Sequence, residues 1–115
     1  MTPSEMAKVI LANIETCRAS LEDGPTGYVL HTDDRLYFVC QRGGAVRLGN
    51  PQEDDVAVYT THARAVTTQR YWNTNKPEGK VSISLRREAM QAYIDRQQKT
   101  LDTLMKFIEL TKANN

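Results

Sequence analysis

The stretch from Leu85 to Lys112, LRREAMQAYIDRQQKTLDTLMKFIELTK, contains no Gly and no Pro. Within it Met90, Ile94, Gln97, Leu101, Leu104, Ile108 and Thr111 follow one another at alternating steps of four and three. That spacing is an a/d heptad stripe and predicts one uninterrupted helix. At ~1.5 Å per residue the helix is about 42 Å long, whereas a compact domain of about 100 residues has a radius of gyration near ~13 Å. The helix is therefore expected to overhang its own domain and to need a partner surface. Asp95 with Lys99, and Asp102 with Lys106, are i,i+4 pairs with the acid first, which suits an exposed back. Gln97 puts a polar group on the stripe, the kind of residue that sets register or oligomeric state. Tyr93, Met105 and Phe107 widen the apolar face, so the first helix and the sheet are also candidate neighbours. The expectation drawn from the overhang is a homodimer assembled through Met90, Ile94, Gln97, Leu101, Leu104 and Ile108.

The N-terminus carries a helix start signal. Thr2 is an N-cap, Pro3 occupies the first helical position and Glu5 stands where a capping box needs it. Met6, Ile10, Ile14, Cys17 and Leu21, with Val9 alongside, form one apolar stripe, and Gly24-Pro25 end the helix. Strands are expected at residues 27–31, 35–41 and 45–48, with turns at Asp33-Asp34 and at Arg42-Gly43-Gly44. A polar loop over residues 49–55 leads to a fourth strand at 56–60. Thr61 caps a short helix at 62–73, a loop follows over 73–79, and residues 80–84 form a fifth strand with Ser84 as N-cap of the long helix. The whole reads as one α+β domain over residues 1–115: an N-terminal helix, an antiparallel meander of four to five strands, a short helix and a long C-terminal helix at about 85–112.

Composition bounds the function. The chain has 115 residues, 40% hydrophobic and 25% charged, enough for one core. No apolar run approaches the ~20 residues of a membrane span, no signal peptide is read at residues 1–5, and no membrane partner is expected. Cys17 and Cys40 read as small core residues rather than a disulfide, which fits a cytoplasmic protein.

Catalytic chemistry is not visible. His31, His62, Cys17 and Cys40 lack zinc-type spacing. There is no nucleophile elbow, phosphate-binding loop or dinucleotide fingerprint, and no cofactor or metal is expected. Gly43-Gly44 reads as a hairpin turn before it reads as an anion nest. Glu53-Asp54-Asp55 and Asp33-Asp34 read as solvated acids without a calcium-loop pattern.

Charge is segregated. The net charge is +1, yet residues 61–87 hold six basic groups against Glu78 alone. Arg64, Arg70, Lys76, Lys80, Arg86 and Arg87, interleaved with Tyr71 and Trp72, suit phosphate contact and base stacking. Arg86 and Arg87 also sit in the first turn of the long helix, where the dipole disfavours cations. The alternative function is therefore binding of nucleic acid or a phosphorylated ligand through this segment.

Tyr28-Val29, then Leu36-Tyr37-Phe38, then Ala57-Val58-Tyr59-Thr60-Thr61 followed by Ala63 and Ala65 make up a pattern over residues 27–73. It resembles small phage and prophage accessory proteins of unassigned role. The resemblance transfers no catalytic residue. It implies a small protein that binds, and so blocks or organises, a host or defence component. The leading expectation is thus a non-enzymatic interaction protein with itself and one further protein as partners.

Overall fold

The computed structural model describes residues 1–52, 56–77 and 79–113. The acids Glu53, Asp54, Asp55 and Glu78 lie outside the described residues. The element order is α1 (Pro3–Asp23), β1 (Tyr28–His31), β2 (Phe38–Arg42), β3 (Ala45–Gly49), α2 (His62–Asn75), β4 (Ser82–Leu85) and α3 (Arg86–Ala113). This is the expected α+β chain with its short second helix and long C-terminal helix. The four strands form an antiparallel sheet in the order β3-β2-β1-β4.

Local chemistry sets these boundaries. Thr2 Oγ1 accepts the Glu5 N–H at 3.2 Å, and Thr61 Oγ1 accepts the Arg64 N–H at 3.2 Å, so both caps act as their sequence implies. Gly43 and Gly44 take φ values of +57° and +89° between the paired residues Arg42 and Ala45. Two central residues at positive φ make a two-residue hairpin turn that glycine adopts without steric cost. The second expected strand begins later than expected, at Phe38. Asp34 Oδ1 accepts the Leu36 N–H at 3.0 Å, and the Thr32 N–H donates to the Tyr37 carbonyl at 3.0 Å. These bonds tie residues 32–37 into a turn before the ladder can start.

Residues 56–60, expected as a strand of the meander, form two isolated bridges instead. β1 and β2 meet only at His31 and Phe38 and then splay. Val56 bridges to Cys40 on β2, and Tyr59 bridges to Tyr28 on β1 with two N–H···O bonds of 2.8 Å. The segment fills the gap as a wedge, serving one neighbour at each end.

Alternation along β1 separates two cores. Val29 and Phe38 face α1 and α3, packing with Ile14, Met90, Tyr93 and Ile94. Leu30 and Val39 face α2, packing with Ala65, Trp72 and Val81. The sheet thus lies between an α1/α3 layer and α2. The N-terminal half of α1 runs beside the C-terminal half of α3, so the two helices are antiparallel. The longest extent is 56 Å and the radius of gyration 16.3 Å, well above the ~13 Å of a compact chain of about 100 residues.

One buried cation holds the corner where α1 ends. Arg86 is 6% exposed. Its Nη2 donates to the Ser20 carbonyl and Oγ, both at 2.6 Å, and its Nη1 to the Pro25 carbonyl at 3.3 Å. A cation at the C-terminus of α1 meets the negative end of the helix dipole, and burial pulls its pKa below the ordinary value. A methyl on Gly24 would sit 2.7 Å from Arg86 Cζ and closer still to Nη2. Gly24→Ala should therefore cost about 2–3 kcal/mol, the penalty of leaving a buried charged donor badly paired. Urea denaturation checks this, and an unchanged midpoint would refute the corner's role.

Two buried acids add a pH dependence. Burial pushes the Cys17 thiol from 9.0 up to about 11 and the Tyr93 phenol from 10.0 up to about 12, with Cys17 and Tyr37 adding to the latter. The unfolded chain ionises at the ordinary values while the folded chain holds its protons. Stability is therefore complete below pH 9.0 and falls as pH rises through about 11. Urea midpoints between neutral pH and pH 10.5 should decline, and less steeply in Cys17→Ala.

Candidate interaction surface

The heptad stripe is spent inside the chain. Met90, Ile94 and Leu101 are buried against Ala7, Ile14 and Cys17, and Leu104 and Ile108 pack on the same core. Gln97 is half-buried on that stripe. The seam that suggested a second copy is thus filled by α1, and any assembly must use other faces of the helix pair.

Those faces carry the outlying apolar residues. Beyond the sheet, α1 and α3 form a two-helix arm with Met6, Val9, Leu11, Met105, Phe107 and Leu110 exposed. A groove of about 380 Å³ on one face is lined by Leu11, Leu101, Met105 and Ile108, with Lys8 and Lys112 among its walls. On the opposite face a groove of about 630 Å³ is lined by Met6, Ile10, Leu104 and Phe107, with Arg96 and Lys99. Arg96 reaches from that second face to the Asp34 carbonyl at 2.6 Å, which places it on the sheet side of the arm. Neither groove has an acidic residue among its described lining.

Why α1 leaves apolar side chains outside follows from its sequence. Met6, Ala7, Val9, Ile10, Leu11, Ala12 and Ile14 place apolar groups all round the helix. A helix apolar on every side belongs in an interior. Here α3 covers one side only, through Ala7, Ile10 and Ile14. The signal was present in the run 6–14, but a reading that follows a single stripe passes over it.

The basic segment does not converge. Trp72 is fully buried, with its indole N–H donating to the Gly79 carbonyl at 2.8 Å. It fills the α2 core and offers no ring for base stacking, contrary to the expectation. Lys76 lies over that ring at 5.7 Å. Arg86 points into the α1 corner rather than to solvent, also contrary to expectation. Arg64 and Arg70 are exposed on α2, and Lys80 is exposed before β4. Arg87 lies in the other helical layer, in a concavity with Leu21, Glu22, Glu88 and Asp95. The described residues of the segment 61–87 therefore present no single basic face.

His31 and Ser84 make the nearest approach to a nucleophile pair. His31 Nε2 is 2.7 Å from Ser84 Oγ, and Nδ1 is 2.7 Å from the Thr32 carbonyl. The carbonyl only accepts, so Nδ1 carries a proton. A carbonyl stands where a catalytic triad has a carboxylate, and His31 is 3% exposed. The pair braces β1 to β4. Ser84 is consequently not the N-cap of α3, which starts directly after β4.

Among the described residues no group of three His, Cys, Asp or Glu could hold a metal ion, and no helix is long and apolar enough to cross a membrane. No family model matches the chain, and no match emerges among curated proteins or solved structures.

Proposed function

We propose that this chain is a non-enzymatic interaction protein, a homodimer that acts by seating its helical arm on a second protein and so blocking or organising it. The observation that carries the reading is the apolar circumference of α1 over residues 6–14, covered by its own chain on one side alone. Met105 and Phe107, exposed on opposite faces, and exposed Leu110 carry uncovered apolar surface onto α3. Isolated apolar residues on a surface are ordinary, whereas a contiguous set on both faces of a projecting helix pair marks an interface. The resemblance to phage accessory proteins makes a host or defence component the proposed target.

The test is capture from the native cells with the intact chain and with Phe107→Glu. Phe107 lines the sheet-side groove and is 55% exposed, so the change should leave the fold within about 0.5 kcal/mol. The reading expects a protein retained by the wild type and released by the variant. Identical retention by both would overturn it.

A further inference from the structure

We infer that the groove on the sheet side of the arm takes an acidic amphipathic helix of the second protein, packed as a third helix against α1 and α3. This rests on the reading of the arm as an interaction surface and names the chemistry of the partner at one of its faces.

Charge complementarity carries the assignment once the charged residues bordering the groove are placed. Acids and cations run along α3 as separate ridges. Glu88, Asp95, Asp102 and Glu109 recur every seven residues, and Lys99 and Lys106 stand four residues after Asp95 and Asp102. At about 3.6 residues per turn, that offset sets the lysines between the acidic ridge and the sheet-side groove. Arg96 and Lys99 line the groove itself. Asp95 and Asp102 lean the other way: Gln91 Nε2 donates to Asp95 Oδ1 at 2.9 Å and Gln98 Nε2 to Asp102 Oδ1 at 3.0 Å. Those glutamines share the heptad position of Met105, which lines the opposite groove. The acidic ridge therefore borders the Leu11 groove and not this one. Glu5 is the acid beside Met6 on α1, and Asp33, Asp34 and Arg35 stand at the sheet end. Asp33 Oδ1 accepts the Ser82 hydroxyl and Asp34 Oδ1 the Leu36 N–H, both at 3.0 Å, so both carboxylates are engaged in their own turn and sheet. Counted with Arg96, Lys99 and Lys106, the exposed border is net positive by one, and its wall carries the cations.

The floor selects a protein helix. Met6, Ile10, Leu104 and Phe107 line it, and Met6 and Phe107 are 44% and 55% exposed. A phosphate backbone gains nothing on such a floor, whereas an amphipathic helix lays its apolar stripe there. The α3 wall runs from Arg96 to Phe107, ~17 Å or three turns at ~1.5 Å per residue. Carboxylates flanking the partner's stripe then reach Lys99 and Arg96. Arg96 is already held in place, its Nη1 donating to the Asp34 carbonyl at 2.6 Å, and the rest of its planar fork suits a carboxylate. A second copy fits less well. Its acidic ridge laid in this groove would join unlike faces, a contact that repeats from chain to chain instead of closing as a dimer.

Two fluorescent peptides test the chemistry on the full chain. One is an amphipathic helix of about four turns with Leu along one face and Glu on its flanks; the other has Lys in place of every Glu. Fluorescence polarisation at low salt should find the Glu peptide bound at least tenfold more tightly than the Lys peptide. Lys99→Glu combined with Lys106→Glu, both at exposed positions, should weaken the Glu peptide at least tenfold with an unchanged circular dichroism spectrum. Adding Arg96→Glu should turn the preference to the Lys peptide. Equal affinity for the two peptides, no binding of the Glu peptide, or full affinity in the lysine double variant would overturn the proposal. So would single-stranded DNA bound more tightly than the Glu peptide, or self-association of the wild type that Phe107→Glu removes. If Phe107→Glu releases the protein captured from native cells while the lysine double variant retains it, the broader reading of the arm stands and the acidic partner falls.

Discussion

Trp72→Ala is expected to lose about 3–5 kcal/mol of stability, the range for removing a buried aromatic side chain from a packed core. The ring is fully buried among Leu30, Val39, Ala65 and Val81. Its N–H also ties the loop before β4 through the Gly79 carbonyl at 2.8 Å, so truncation removes a hydrogen bond as well as packing. At ~4 °C per kcal/mol the melting temperature should fall by roughly 12–20 °C. A domain of ordinary stability holds only ~5–15 kcal/mol, so the variant sits near the edge of folding. Thermal melts followed by circular dichroism provide the check. A stacking platform for nucleic acid would behave differently: the variant would keep its melting temperature and lose binding.

Leu101→Glu is the second large effect. Leu101 is 8% exposed, at the point where α1 and α3 meet. The substitution deletes an apolar contact from the packed seam and puts a carboxylate there, with Lys8 and Lys112 on the walls of the adjoining groove. Leu→Ala in a core alone costs about 2–5 kcal/mol, and a buried unpaired charge adds to this unless it protonates. The arm should fray or the chain unfold. Leu11→Glu, on the outward face of the same helix pair, should leave the urea midpoint within about 0.5 kcal/mol and abolish assembly. The contrast separates the seam that builds the arm from the face that uses it. If Leu101→Glu folds normally and only assembly is lost, the heptad stripe lies between chains after all.

Much of this fold was legible because local rules decide it. Thr2 and Thr61 cap helices, Gly43-Gly44 turn a hairpin, and the 90–108 stripe forms a seam, each from short-range chemistry or periodicity. The failures have physical causes of another kind. Residues 56–60 alternate like a strand, but their neighbours splay, and a wedge between two strands is set by the sheet rather than by its own residues. Ser84 has the chemistry of an N-cap, yet His31, 53 positions away in sequence, takes its hydroxyl. Arg86 and Trp72 look like a surface cation and a surface ring until the C-terminus of α1 and the Gly79 carbonyl supply interior partners. The stripe was read correctly as a seam, but its occupant depended on where α1 lands. The exposed arm was written in residues 6–14, as a helix apolar on all sides.

Methionine oxidation reports directly on whether a second chain covers the groove around Leu11 and Met105. Met105 and Met6 are 48% and 44% exposed, and they line opposite faces of the arm. Met1, 82% exposed, and Met90, 2% exposed, are internal references for open and closed sites. Thioether oxidation follows exposure, so peroxide labelling read by mass spectrometry should find Met6 reactive throughout. Met105 should be shielded at high protein concentration and recover on dilution or in Leu11→Glu. Equal, concentration-independent oxidation of Met105 and Met6 in the wild type would contradict the account.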